Sequence, residues 1–127
     1  MVDEIKASQI VARKAIEATY FGELKVTEQR KVKDKRTKLM TDKEVIVIEN
    51  QPCRLSFEKI QTSAQSDSAA SLSQVAKLFL SPDIRIKAGS RLTVSQDGIT
   101  TDYTHSGVPA VYPTHQEIVL DLFKEYA

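Results

Sequence analysis

Cysteine, glycine and aromatic residues are all scarce in this sequence, and each scarcity removes a class of function. Cys53 is the only cysteine among 127 residues, so one chain can form neither an internal disulfide nor a cysteine-rich metal site. The four glycines are isolated from one another, which excludes a phosphate-binding loop and a dinucleotide-binding fingerprint. No aromatic residue lies between Phe21 and Phe57, although a groove that stacks single-stranded nucleic acid needs rings beside its basic residues.

Long apolar runs are missing too. The longest uninterrupted one is Val45–Ile48, and neither end of the sequence carries a cleavable targeting segment or a span of about 20 apolar residues. Apolar residues make up 41% and charged residues 28% of the chain, as in soluble globular domains. We therefore expect a single domain, residues 1–127, that folds in the cytoplasm of a bacterial host and binds no membrane.

The side chains that could perform catalysis form no recognisable pattern. His105 and His115 are separated by nine residues, which is not the short spacing that places two imidazoles on one zinc ion. The serines include no G-x-S-x-G nucleophile motif. Cys53 alternates with Leu55 and Phe57, which favours a buried apolar position over a reactive thiol. We expect no enzymatic activity, no cofactor and no metal site.

The N-terminal residues predict one amphipathic helix. Apolar residues recur at helical spacing from about Val2 to Tyr20, and Gly22 is a plausible C-terminal stop, so the helix is assigned to residues 1–21. Its apolar face includes the small residue Ala12 and Ile16. This face could pack on the sheet of its own chain or on a neighbouring subunit, and Ala12 and Ile16 are our candidate subunit contacts.

The remainder of the chain has the period-two alternation of β-strands. Asn50, Gln51 and Pro52 should interrupt the sheet because proline lacks a donor N–H. The Asp97-Gly98 pair predicts a tight hairpin turn. The predicted strands are residues 23–32, 44–49, 53–58, 75–80, 91–95, 99–106 and 115–123, with a shorter extended segment at 85–89. The expected fold is mainly β: a small antiparallel β-barrel or sandwich over residues 23–124, with an N-terminal α-helix and a long flexible inter-strand loop.

That loop covers residues 61–73. Asp67 is its only charged residue and Leu72 its only large apolar one, so it cannot bury enough surface to offset the entropy of ordering it. Long loops inside compact domains are often functional. The candidate residues are Gln61, Thr62, Ser63, Gln65, Ser66, Asp67, Ser68, Ser71 and Ser73.

A basic segment lies between two of the predicted strands. Residues 25–43 contain eight basic and three acidic residues, which predicts a basic hairpin tip. Such a tip could be a solvated turn, or it could face DNA or an acidic partner. The candidate residues for a partner-facing or DNA-facing surface are Lys31, Lys33, Lys35, Arg36 and Lys38.

Three segments together resemble small head-tail connector proteins of Gram-positive prophages, the head-closure or stopper family of tailed bacteriophages. They are residues 49–58 (ENQPCRLSFE), residues 77–90 (KLFLSPDI followed by KAGS) and residues 106–117 (SGVPAVY followed by HQE). The resemblance covers roughly Ile10 to Phe123. None of these segments is a catalytic signature, and their specificity lies in their order and spacing together.

The resemblance implies a virion protein at the head-tail interface, whose β-barrel subunits form a ring below the portal and adaptor and offer a surface for tail attachment. In that family a long inter-strand loop projects toward the ring axis and helps to retain packaged double-stranded DNA; residues 61–73 occupy the corresponding place. The implied partners are other copies of the chain, portal or adaptor proteins and tail-completion proteins. Two alternatives remain open from the residues: a small-β-barrel nucleic-acid-binding module, and a ligand-binding or enzymatic barrel with residues 61–73 as its lid.

Overall fold

The computed structural model describes residues 2–61, 72–105 and 107–126. Within these ranges the chain is mainly β with one N-terminal helix, which confirms the predicted fold class. The elements are helix α1 (Val2–Glu17) and strands β1 (Gly22–Lys33), β2 (Met40–Gln61), β3 (Leu72–Leu80), β4 (Arg91–Gln96), β5 (Ile99–Thr104), β6 (Ala110–Val111) and β7 (Gln116–Leu122).

The strands form one antiparallel sheet that closes on itself. Its order is β3-β2-β1-β4-β5-β7-β6, and β3 also pairs with β7. Leu78 of β3, for example, lies opposite Leu55 of β2 on one side and Ile118 of β7 on the other. Closure into a barrel removes the unpaired strand edges that an open sheet exposes.

Alternation along the strands fills the barrel with apolar side chains. In β4, Leu92 and Val94 are buried, whereas Thr93 and Ser95 between and after them are partly exposed. The buried apolar residues are Leu24, Val26, Cys53, Leu55, Ala76, Leu78, Leu80, Leu92, Val94, Tyr103, Ile118 and Leu120. Phe57 and Leu122 share the period of these residues, yet they are 52% and 65% exposed.

Strand β2 is much longer than the barrel requires, and the predicted interruption at Asn50–Pro52 is wrong. Its 22 residues span roughly 70 Å at the usual rise of a strand. The strand continues through this segment with a β-bulge. The β1–β2 register shifts between Leu24 and Val26, and Asn50 adopts a positive φ of 53°. Pro52 is tolerated because it pairs only with Glu23 of β1, and the pairing of β2 with β3 begins one residue later.

Helix α1 ends earlier than predicted. It stops at Glu17 rather than Tyr20, and turn-type hydrogen bonds from the Thr19 and Tyr20 N–H groups follow it. Gly22 is not the helix stop but the first residue of β1. A Cβ atom there would lie 2.9 Å from Gln96 Oε1 and 3.0 Å from the Cys53 carbonyl oxygen, so the close packing of the barrel requires glycine.

Several other boundaries also differ from the prediction. Strand β3 starts at Leu72, β5 ends at Thr104, and β7 covers Gln116–Leu122. Residues 85–89 form no strand, and β6 lies between the predicted strands 99–106 and 115–123, where no strand was expected. The predicted hairpin at Asp97-Gly98 is confirmed, since both residues have positive φ, at 53° and 77°.

Candidate interaction surfaces

The basic segment forms the end of a two-stranded hairpin that extends past the barrel. Pairing of β1 with β4 stops at Thr27, whereas pairing of β1 with β2 continues to Lys33 opposite Met40. We call residues 30–43 the arm. All of its residues are exposed except Asp34, which is half-buried. The five predicted partner-facing residues lie in the arm: Lys31, Lys33, Lys35, Arg36 and Lys38.

The tip of the arm has a fixed backbone. The Asp34 N–H donates to the Leu39 carbonyl at 2.9 Å, and the Lys38 N–H donates to the Asp34 carbonyl at 2.8 Å. Asp34 Oδ1 also accepts a hydrogen bond from the Arg36 N–H at 2.8 Å, the side-chain-to-backbone bond typical of an aspartate-initiated turn. Lys38 takes the positive φ that closes the turn. The backbone positions of the basic residues at the tip are therefore defined.

The predicted channel loop falls largely outside the described residues. Seven of the nine candidate residues lie outside the described ranges: Thr62, Ser63, Gln65, Ser66, Asp67, Ser68 and Ser71. The two boundary residues are corrected: Gln61 is the last residue of β2 and pairs with Leu72, and Ser73 is in β3 and pairs with Ile60. The β2–β3 hairpin therefore continues beyond the point at which the loop was predicted to begin.

Helix α1 contacts the barrel mainly through one side chain. Arg13 Nη2 donates to Ser81 Oγ at 2.6 Å and to Asp83 Oδ2 at 2.8 Å, and its Nε donates to Glu17 Oε1 at 3.2 Å. Of the two predicted subunit contacts, Ile16 is half-buried and Ala12 is exposed. Both residues line grooves between the helix and the barrel of their own chain, Ile16 with Phe79 and Ala12 with Thr114.

A cleft of about 470 Å³ separates α1 from the outer surface of β2 and β3. Its walls include Ile16 and Tyr20 from the helix segment, Arg54 from β2, Phe79 from β3, and His115. The Tyr20 hydroxyl makes no hydrogen bond within the described residues. Burial, and secondarily the nearby Glu17 carboxylate, raise the pKa of this phenol.

His115 belongs to an aromatic and polar cluster that no spacing in the sequence predicted. Its ring stacks on Tyr112, with centroids 4.9 Å apart, and lies 6.0 Å from the Phe79 ring. Nε2 is 3.0 Å from Glu117 Oε2, and Nδ1 is 3.0 Å from Thr114 Oγ1. Every nitrogen of the imidazole has a partner, so the cluster positions the segment before β7 rather than offering a free base.

Two glutamine side chains make backbone-like hydrogen bonds that no sequence pattern predicted. Gln96 Oε1 accepts from the Leu55 N–H at 2.8 Å, and Nε2 donates to the Leu55 carbonyl at 3.0 Å. Gln116 is buried, and its Nε2 donates to the carbonyl oxygens of Ser81 and Ile84 at 2.7 and 2.6 Å. These amides satisfy backbone groups that lie beyond the ends of the paired strands.

The candidates for chemistry have separate surroundings, each with its own partners. Cys53 is fully buried in the core, as predicted, and burial raises the pKa of its thiol to about 12. His105 is also buried, with ring nitrogens 3.2 Å from the Ile86 carbonyl oxygen and 3.3 Å from the Gly107 carbonyl oxygen. Across the described residues, no group of three or more His, Cys, Asp or Glu side chains could hold a metal ion. No helix in that part of the chain is long and apolar enough to span a membrane.

Comparison with known proteins assigns no family to the chain. No family model matches the sequence, and no curated protein matches it. A solved structure does match: the phage-like element PBSX protein xkdH from Bacillus subtilis, with a TM-score of 0.47 and 11% sequence identity, over 79% of this chain and 91% of that chain. A match with this TM-score and sequence identity does not show the function of the chain.

Proposed function

We propose that this chain is a structural protein of a tailed phage or prophage particle. In this proposal it is a head-tail connector subunit that forms a ring below the portal, closes the DNA-filled head and presents the surface to which the tail attaches. The order and spacing of the segments at residues 49–58, 77–90 and 106–117 support this assignment. They include core residues such as Leu55 and Leu78 as well as exposed positions such as Val108.

The observation that carries the proposal is the length of β2. One strand pairs with β1 at one end and with β3 at the other, and both hairpins run past the closed part of the barrel. The exposed large apolar residues include Val32, Leu39 and Met40 on the arm and Phe57 on the β2–β3 hairpin. An extended arm whose residues are nearly all exposed suits a subunit whose contacts are made with neighbours.

The barrel itself supports the same assignment. Its interior holds apolar side chains. Of the four described groups with raised pKa values, Tyr20 alone lines the cleft beside α1; Cys53 is in the core, Arg13 is bound to Asp83, and Tyr126 lines a separate groove with Glu28 and Lys87. An active site usually gathers such groups in one concave pocket. The outer surface, rather than an internal cavity, is the part of this molecule available for function.

The test is deletion of the gene in an inducible prophage, followed by electron microscopy of the particles. We expect heads that package DNA, lose it on dilution and fail to join tails, and we expect the intact gene supplied in trans to restore tailed particles. Tailed, DNA-filled particles in normal yield from the deletion strain would contradict the proposal. Mass spectrometry of purified wild-type particles gives a second check, since a connector must be present in them.

A second candidate, a small-barrel nucleic-acid-binding module, is favoured by the basic arm. It predicts that the isolated chain binds duplex DNA with an affinity that falls steeply with salt, because each neutralised phosphate releases counterions. The variant Lys35→Glu/Arg36→Glu should abolish such binding, whereas Lys6→Glu/Lys124→Glu changes two exposed lysines outside the arm and serves as the charge-matched control. Absence of DNA binding at low salt would remove this candidate.

A further inference from the structure

Charge is distributed very unevenly between the arm and the rest of the chain. Residues 30–43 contain seven basic and two acidic residues, a net charge of +5. The remaining residues contain eleven basic and fifteen acidic ones, a net charge of −4. The overall charge of +1 therefore conceals two parts of opposite sign, which attract each other when they belong to different molecules.

The arm contains a local repulsion that a partner could relieve. Arg30 lies directly opposite Lys43 in the β1–β2 register, and like charges at facing positions of a ladder destabilise it. Glu28 compensates Arg30 through a 3.0 Å ion pair. No salt bridge in the described part of the chain involves Lys43, Lys35 or any other lysine of the arm. These cations are available to the carboxylates of another molecule.

A groove of about 260 Å³ at the base of the arm has the complementary character. It runs across β2, β1, β4 and β5, and the bulge at Asn50 forms part of its wall. Two exposed carboxylates, Glu23 and Glu49, line it together with the short hydroxyl side chains of Thr93, Ser95 and Thr100 and a single cation, Lys25. Within the described residues, neither Glu23 nor Glu49 forms a salt bridge. Carboxylates and hydroxyls can accept the hydrogen bonds that lysine and arginine donate.

The arm cannot reach the groove of its own chain. Lys33 lies six positions beyond Thr27, the last β1 residue paired with β4, so the tip lies about 20 Å beyond the barrel at the usual rise of a strand. The arm continues the same two strands that border the groove, and an antiparallel ribbon with a fixed tip does not fold back onto its own base. The tip of one molecule can, however, reach the groove of another.

We infer that the arm of one copy of this chain docks onto the barrel of a second copy, with Lys35 and Arg36 facing the groove that Glu23 and Glu49 border. The contact is head-to-tail, because a different surface of each copy takes part, and repetition of such a contact forms a ring when its rotation closes. The inference rests on the ring proposed above and names the surfaces that would build it. Opposite net charges would also speed the encounter of copies and make their association sensitive to salt.

Self-association of the purified full-length protein is the first measurement. Sedimentation velocity and a dilution series of ¹H–¹⁵N spectra at about 50 mM salt, where screening is weak, should show association that disappears at high salt. The resonances of the arm and of the groove should shift together, with one dissociation constant. A protein that remains monomeric at millimolar concentration and low salt, or in which only one of the two surfaces shifts, would overturn the inference.

Charge reversal then tests which surfaces meet. The arm variant Lys35→Glu/Arg36→Glu and the groove variant Glu23→Lys/Glu49→Lys should each weaken self-association by about tenfold or more, since each places like charges in the contact. A chain with all four changes should regain it. An equimolar mixture of the two variants should also associate, because the unchanged arm of one variant matches the unchanged groove of the other and the reversed arm matches the reversed groove.

Controls separate this inference from its alternatives. Lys6→Glu/Lys124→Glu and Glu4→Lys/Glu125→Lys carry the same changes in net charge at exposed positions outside both surfaces, and should associate as the wild type does. If the arm variant loses association while the groove variant keeps it, the arm meets a different surface and the inference is wrong. That result would leave the connector function intact, since its test is the phenotype of the deletion strain and not self-association in solution.

Discussion

Replacing Gln96 by alanine tests whether a side-chain amide stabilises this barrel in place of a strand. Strand β1 begins at Gly22, which pairs with Cys53, so Leu55 has no β1 residue opposite it. The Gln96 amide fills that position by accepting from the Leu55 N–H at 2.8 Å and donating to its carbonyl at 3.0 Å. It thereby supplies the donor and the acceptor that a longer β1, extended two residues before Gly22, would have supplied.

The size of the effect follows from these two hydrogen bonds. Each contributes a net stabilisation of about 0.5–1.5 kcal/mol, and a buried group left without a partner costs about 1–3 kcal/mol. Leu55 is 9% exposed, and Gln96 is partly exposed, so water can replace only part of what is lost. We expect Gln96→Ala to lower the free energy of unfolding by about 2 kcal/mol, which for a domain of this length lowers the melting temperature by roughly 6–10 °C.

Urea unfolding of the purified variants is the assay. Gln96→Ala should lower the midpoint without changing the slope, since the surface exposed on unfolding is nearly the same. The amide hydrogen of Leu55 should also exchange faster with solvent. Gln29→Ala removes an exposed glutamine that bonds to no described side chain and should shift stability by no more than about 0.5 kcal/mol. If Gln96→Ala unfolds at the same urea concentration as Gln29→Ala, the stabilising role of the Gln96 amide is refuted.

Three further predictions concern the packing around this position and the attachment of the helix. Gly22→Ala should lower the free energy of unfolding in urea by about 1–3 kcal/mol, because the added methyl would lie 2.9 Å from Gln96 Oε1. A urea midpoint equal to that of the wild type would contradict this prediction. Cys53 should resist thiol reagents until the protein unfolds. The pKa of its thiol is raised to about 12, so the protonated thiol favours the folded state. This contribution to the free energy of unfolding is complete below about pH 8.5 and is lost as pH rises toward 12. Unfolding of Cys53→Ala and of the wild type, compared across this pH range, would show the loss. Arg13→Ala removes the bonds from α1 to Ser81 and Asp83, and should speed amide exchange in α1 while changing global stability by less than about 1 kcal/mol; unchanged exchange would show that other contacts hold the helix.

Most strands could be predicted from the sequence because their signals are local. Alternation placed Leu92 and Val94 on one face of β4, and the Asp97-Gly98 pair marked the turn that follows. The burial of Cys53 followed from the same alternation. These features depend on residues only a few positions apart, so a single sequence contains the information that specifies them.

The errors arose where distant residues decide the structure. Pro52 looked like a strand breaker because nothing local shows that β3 ends beside it. Gly22 looked like a helix stop because its close neighbours, Gln96 and Cys53, are far away in the sequence. The groove beside Glu49 was missed for the same reason, since its residues come from four strands. The basic arm was found because its signal, a run of lysine and arginine, is contiguous.

The bulge in β2 connects the fold to the proposed assembly. The β1–β2 register shifts between Leu24 and Val26 and again between Val26 and Thr27, in the last part of β1 that also pairs with β4, and such irregularities increase the local bend and twist of a strand. These irregularities precede the arm and affect the angle at which it leaves the barrel; the Asn50 side chain tolerates the positive φ found there better than a β-branched residue would. In a head-to-tail assembly that angle sets the rotation from one copy to the next, and the rotation decides how many copies close a ring. In the proposed ring, the irregular segment around Asn50 would therefore influence the number of copies.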